Sequence, residues 1–164
     1  MVQFRAMTAD EFATFKAWLI DDYAGDIARN YQLAYEDARR SSEQQISALL
    51  PDGPATTNHL LFSLLVEASD QVVGHLWCYV EPEQERAFVY DIIVHEPHRR
   101  KGYGSSALTQ LEHLLVARGV RRLGLHVFGD NYRAQALYQR LGYRVTDLSM
   151  QKELPPGAVE VRKP

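Results

Sequence analysis

The sequence predicts an α+β or α/β domain of three layers, with a sheet flanked by helices, and three observations carry that expectation. Apolar residues recur at helical spacing up to Leu50 and then switch to strand-like runs between His59 and Val94. Short polar turns join those runs as hairpins would. Beyond Val94, helical and strand-like stretches alternate, which implies crossover connections. At 164 residues the chain can bury a full hydrophobic core, and no linker or internal repeat divides it. One domain over 1–164 is expected, with an N-terminal strand and helices in 1–54 and a sheet core in 59–153.

Each element has its own signal. Val2-Gln3-Phe4-Arg5 alternates apolar and polar, as a short first strand does. Thr8-Ala9-Asp10-Glu11 matches a capping box, with Thr8 as the N-cap. The helix it starts carries Phe12, Phe15, Trp18, Leu19 and Tyr23 on one face, with Asp21, Asp22 and Asp26 facing water or a ligand. A second helix from about Leu33 to Leu50 is ended by Pro51-Asp52-Gly53-Pro54. His59 to Val66, Gln71 to Val80 and Ala87 to Val94 then read as a meander. Its turns are Glu67-Ala68-Ser69-Asp70 and Glu81-Pro82-Glu83-Gln84-Glu85. The helix after Gly104 shows Leu108, Leu111 and Leu115 on one side, with Gly119 as its C-cap. Arg121 to Phe128 is a further strand, and a shorter helix from about Tyr132 to Leu141 stops at Gly142. Tyr143 to Glu153 closes as a last strand or hairpin, and the tail from Pro155 is left unassigned.

Composition narrows the function classes. A net charge of -3 argues against a broad basic face for nucleic acid. The lone cysteine, Cys78, lies in an apolar run, so no disulfide forms within the monomer and the side chain reads as a buried small hydrophobe. With no apolar run of membrane-spanning length and no signal-peptide pattern, the expectation is a cytoplasmic protein without a membrane partner.

One stretch departs from this mildly acidic background. Val89 to Ala107 reads as a strand, a polar loop, the cations Arg99-Arg100-Lys101, a Gly102-Tyr103-Gly104 turn and a helix start. Glycines let backbone N–H groups approach a ligand, and a helix N-terminus favours an anion. A pyrophosphate fits that arrangement. Gly102-Tyr103-Gly104-Ser105-Ser106-Ala107 also fits the dinucleotide pattern G-x-G-x-x-[GA]. However, a long cationic loop separates these glycines from Val94, whereas a dinucleotide fold turns directly from strand to helix. No P-loop spacing and no G-x-S-x-G elbow occurs. His95-x-x-His98 is interrupted by Pro97 and lacks convergent carboxylates, so no metal is expected.

Arg99-Arg100-Lys101-Gly102-Tyr103-Gly104 resembles the R/Q-x-x-G-x-G/A signature of the GNAT superfamily of acyl-CoA-dependent N-acetyltransferases. The lead-in Asp91 to His98 is similar to that family's strand and loop before the signature. Asn131 to Tyr143 resembles its second motif, N-x-x-A-x-x-L-Y-x-x-x-G-F/Y. The resemblance covers about His59 to Tyr143 and implies a mixed, mostly antiparallel sheet flanked by helices. It makes 1–54 the region that varies with the acceptor.

The resemblance implies acetyl-CoA as co-substrate, with no metal. Arg99, Arg100, Lys101, Gly102, Tyr103, Gly104 and Ser105 would hold its pyrophosphate. Ile92, Ile93 and Val94 would offer backbone groups to the pantetheine arm and thioester carbonyl, and an N–H aimed at that oxygen would stabilise the oxyanion of amine attack. Asn131 would contact the pantetheine, and Tyr138 would donate a hydrogen bond or proton to the departing sulfur. The spacing of Asn131 and Tyr138 puts both on one helix face. A phenol near pKa ~10 and a thiol near ~8.5 make full proton transfer uphill by roughly 2 kcal/mol, so hydrogen bonding is the safer role.

The general base is open among Asp91, Glu96, His126 on its strand, and an ordered water. Asp21, Asp22, Asp26, Glu36 and Asp37 would attract a cationic amine, with Tyr23 and Tyr31 at the same entrance. The expected activity is acetyl transfer to a primary amine of a small molecule or peptide by direct attack in a ternary complex. Its rivals are a catalytically silent acyl-CoA-binding or regulatory module and a dinucleotide-binding oxidoreductase. An exposed sheet edge leaves a homodimer open.

Overall fold

A computed structural model describes residues 1–67 and 69–154 of the chain. Ala68, in the expected β-hairpin turn, and the tail from Pro155 lie outside the described residues. The sheet has five strands in the order β1-β2-β3-β4-β5. They are β1 (Val2–Ala6), β2 (His59–Val66), β3 (Val72–Glu81), β4 (Arg86–Val94) and β5 (Arg122–Leu125). The first four pair antiparallel, and β5 joins β4 in parallel after a crossover. The expected mixed, mostly antiparallel sheet is therefore present.

Helices α1 (Ala9–Tyr31), α2 (Tyr35–Leu49), α3 (Tyr103–Ala117) and α4 (Tyr132–Arg140) complete the described architecture. Thr8 closes the capping box on α1, receiving Glu11 N–H while the Glu11 carboxylate receives Thr8 N–H. The apolar stripe of α1 buries Phe15, Leu19, Ile20, Ala24 and Ile27. Phe15, Leu19 and Ile20 pack with Ile46 of α2 and with Leu61 and Trp77 on one sheet face. Ala24 and Ala38 let α1 and α2 approach closely, and Ser42 Oγ donates to the Ile20 carbonyl at 2.9 Å in that buried seam. On the opposite face, α3 sets Ala107, Leu111 and Leu115 against Leu64, Leu76, Cys78 and Val89. Among the described residues, no helix is long and apolar enough to cross a membrane.

Four boundaries differ from expectation. Helix α3 begins at Tyr103, so Gly104 lies inside its first turn and Gly102 is the N-cap. Asn131 is the N-cap of α4, not a residue on its face, and its side-chain oxygen accepts from Ala134 N–H at 3.2 Å. Strand β5 stops at Leu125, three residues short of the expected Phe128, so His126 is beyond the strand. No strand forms over 143–153: alternation alone makes no ladder, and the segment does not pair with the sheet although β5 stands at its edge. Val145, Leu148 and Met150 stay exposed there, and Gln151 instead donates to the Asn30 carbonyl at the end of α1.

Candidate active site

A bulge in β4 organises the site. Trp77 faces Asp91 across the β3–β4 ladder while Cys78 faces Val89, leaving Tyr90 as the extra residue. Val89 packs with the α3-side core, and Ile92 packs against that core again beyond the bulge. Tyr90 stacks on Trp77 at a centroid distance of 4.5 Å. Pairing with β5 ends at Val89 opposite Leu125. From Tyr90 to Val94, β4 has no ladder toward β5, so the backbone groups on that edge have no strand partner, while the Ile93 carbonyl is turned to Gly74 of β3.

The groove along this edge meets the N-terminus of α3. Gly102 holds φ at +80°, and a Cβ added there would meet nothing within 4 Å. The first N–H groups of α3, on Tyr103, Gly104 and Ser105, precede the first intrahelical donor, Ser106, and no side chain caps them. Arg100 takes a left-handed φ of 66°, an unusual conformation for a side-chain-bearing residue. Arg100 and Lys101 are exposed, and Arg99 folds back so that its Nε donates to the Val94 carbonyl at 3.0 Å. Free amides, a helix terminus and open space beside Gly102 suit a diphosphate group.

Across the groove, Tyr138 is half-buried in α4 beside Tyr143, with rings 5.7 Å apart. Burial, and then the Asp91 charge, push its phenol up to about 12. Asp22 and Asp26 of α1 face the same point. Partial burial raises the Asp22 carboxyl above its ordinary range, and repulsion from Asp26 and Asp91 adds to this against Arg29 and Arg99. Burial raises Asp26 as well, opposed by Arg29 and reinforced by Asp130 and Asp91. Arg29 pairs with Asp26 and reaches Asp130 at 3.4 Å, tying α1 to the β5–α4 loop. Phe128 of that loop lies between Tyr23, at 6.1 Å, and Tyr31, at 6.4 Å.

The expected acidic entrance is thus smaller than the sequence suggested. Asp22 and Asp26 lie within electrostatic reach of Asp91, with Asp26 shared with Arg29, whereas Asp21 is bound to Arg39 at 2.8 Å and Asp37 to Arg40 at the surface. Glu36 is exposed in the first turn of α2. His126 is exposed beside Phe128, and Glu96 lies in the turn after β4. Among the described residues, no cluster of three or more His, Cys, Asp or Glu is arranged to hold a metal ion.

A cavity of about 690 Å³ opens on the α1 side of β4 rather than in the groove itself, lined by Phe15, Trp18, His75, Ile93 and His95 among others. Sequence reasoning assigned nothing to His75, which is buried with its Nε2 3.3 Å from Asp91 Oδ2. Its only signal was an imidazole on the same strand face as Trp77, and the partner lies on the next strand.

The model of the acetyltransferase (GNAT) family matches residues 17–143. The N-acetyltransferase YycN of Bacillus subtilis is 39% identical over 150 residues, covering 90% of this chain and 96% of that protein. The N-acetyltransferase YdgE of the same organism is 32% identical over 150 residues, covering 90% of this chain and 95% of that one. The crystal structure of YycN superposes with a TM-score of 0.89 at 37% identity, covering 94% of this chain and 99% of that chain. The PaiA N-acetyltransferase of Thermoplasma acidophilum, solved with coenzyme A, shares the fold at a TM-score of 0.66 and 14% identity, covering 91% of this chain and 93% of that one.

Proposed function

Because the chain belongs to the acetyltransferase (GNAT) family and is an acyltransferase, we propose that it moves an acetyl group from acetyl-CoA to a primary amine of a small molecule or peptide, by direct attack in a ternary complex. The observation that carries this reading is the parting of β4 from β5 after Val89, directly before a helix whose first amides are uncapped. An extended thioester arm and a diphosphate need those two features side by side.

The roles follow from placement. Arg99, Arg100, Lys101 and the amides of Gly102, Tyr103, Gly104 and Ser105 hold the pyrophosphate. Backbone groups of Ile92, Ile93 and Val94 grip the pantetheine arm, and acetyl-CoA supplies the activated acyl group on its thioester. Asn131 spends its side-chain oxygen on the α4 cap, which leaves its amide N–H₂ to face the arm. Tyr138 donates a hydrogen bond to the leaving sulfur. Its raised pKa enlarges the uphill gap to full proton transfer and keeps the phenol a donor at neutral pH. Asp91 takes the proton from the acceptor ammonium, and Asp22 and Asp26 draw that cation in.

Thiol release from acetyl-CoA with a panel of 1,4-diaminobutane, benzylamine, glucosamine and glycylglycine tests the reading. Turnover with at least one amine is expected. Calorimetry showing no affinity for coenzyme A would overturn it.

A further inference from the structure

His75 is 9% exposed, and its Nε2 has no hydrogen-bond partner among the described residues; the same is true of Asp91 Oδ2. These two unpaired atoms are 3.3 Å apart, close enough to interact but too poorly aligned for a hydrogen bond. The imidazole is held edge-on by Phe15 at 4.6 Å and Trp18 at 5.0 Å, which fix its plane. Ser63 of β2 and Ile93 of β4 flank it across the ladders, Asp91 is the carboxylate in contact with it among the described residues, and Asp10, Glu11, Glu96 and Arg99 line the cavity it borders. One side of His75 lines the cavity beneath α1, and the His95 ring lies 5.6 Å away there. The other side abuts Asp91, whose charge is felt at Tyr138, Asp22 and Asp26. His75 is thus the wall between an open cavity and the groove. An aromatic or aliphatic side chain would suit this apolar cage but would leave the buried Asp91 oxygen facing no group able to pair with it.

We propose that His75 is a positioning residue for acetyl transfer, orienting the Asp91 carboxylate and carrying the proton that the acceptor loses out to the cavity beneath α1. The inference rests on the reading of Asp91 as the base in an amine acetyltransferase. The acceptor N–H bond breaks with its electron pair staying on nitrogen, and the proton bonds to a carboxylate oxygen of Asp91. It then passes to His75 Nε2 as the proton on Nδ1 leaves to water in the cavity. Carboxylate and neutral imidazole are both restored, so the next turnover starts from the same state. A small rotation of the Asp91 carboxylate converts the 3.3 Å contact into the hydrogen bond the transfer needs.

His75→Gln keeps a polar group of similar reach but cannot relay a proton, and His75→Ala opens a hole beside the cavity. With the amine panel above, H75Q should lower kcat about 100-fold, the scale of lost acid–base catalysis. KM for the amine and affinity for coenzyme A should stay within about threefold of wild type, since neither involves the relay. Added imidazole should restore part of the H75A rate, whereas pyrazole, equal in shape and a far weaker base, should not. A wild-type kcat in H75Q, or equal rescue by pyrazole, overturns the relay and leaves the acetyl-transfer reading standing. Absence of thiol release by the wild-type protein with every amine overturns both. Should H75A fail to bind coenzyme A, the H75Q kcat still decides.

Discussion

Tyr138 shows how local burial shifts a titratable group. Its folded-state value of about 12 lies above the ordinary phenol value. The neutral form therefore stabilises the fold below pH ~10, and that contribution is lost as pH climbs through the folded value. Thermal melts should show a steeper loss between about pH 9 and 11.5 in wild type than in Tyr138→Phe. In thiol-release assays, Y138F should lower kcat about 10- to 100-fold, the worth of one hydrogen bond to a developing charge. Asp22 is shifted in the same direction, through a lower pH range. Its raised carboxyl means that the folded state favours the neutral form, a contribution present below the ordinary carboxylate range and lost as pH rises past it. Asp22→Asn should melt no lower than wild type at pH 7 while raising the amine KM about three- to tenfold, because it removes repulsion and cation attraction together.

Among the elements, β3 and β4 carry the site. The bulge at Tyr90 lets Asp91 look toward α1 while Ile92 returns to the α3-side core. Further along the same ladder, Gly74 faces Val94, and a Cβ built on Gly74 would lie 2.0 Å from the Ile93 carbonyl oxygen. That oxygen is backbone, so relief requires the strands to separate. Gly74→Ala should lower unfolding free energy by about 2–3 kcal/mol in denaturant titrations. Turnover should fall in the same variant, since the displaced segment is the one that lines the groove. Chemistry and stability meet at this position because one hairpin serves both.

Over the whole molecule, charge is divided across the groove. The chain carries a net charge of -3, yet one rim is the Arg99-Arg100-Lys101 loop and the other is the α1 carboxylate pair Asp22 and Asp26. On the proposed function, an anionic co-substrate and a cationic acceptor would each be drawn to its own side. The double variant Arg100→Ala/Lys101→Ala should weaken coenzyme A binding about tenfold in dilute buffer, and the difference should shrink in about 0.5 M salt. Its melting temperature should match wild type, because both side chains are exposed.

Most elements and the glycine turn before α3 were readable along the chain because each depends on neighbours in sequence. The capping box at Thr8, the leucine stripe of α3 and the glycine turn at Gly102 are all local signals. The strand expected over 143–153 did not form: a strand must pair with an edge, and alternation says nothing about whether the segment will do so. The acidic entrance shrank because helix spacing does not reveal which carboxylates find an arginine, as Asp21, Asp26 and Asp37 each do. His75 was silent for the same reason: its meaning lies in Asp91, sixteen positions away and opposite in the hairpin. Sequence period and motif spacing encode what a segment becomes and which ligand charge it tolerates. Which side chains share a groove depends on bulges, strand parting and helix docking, and these arise only when distant segments pack together.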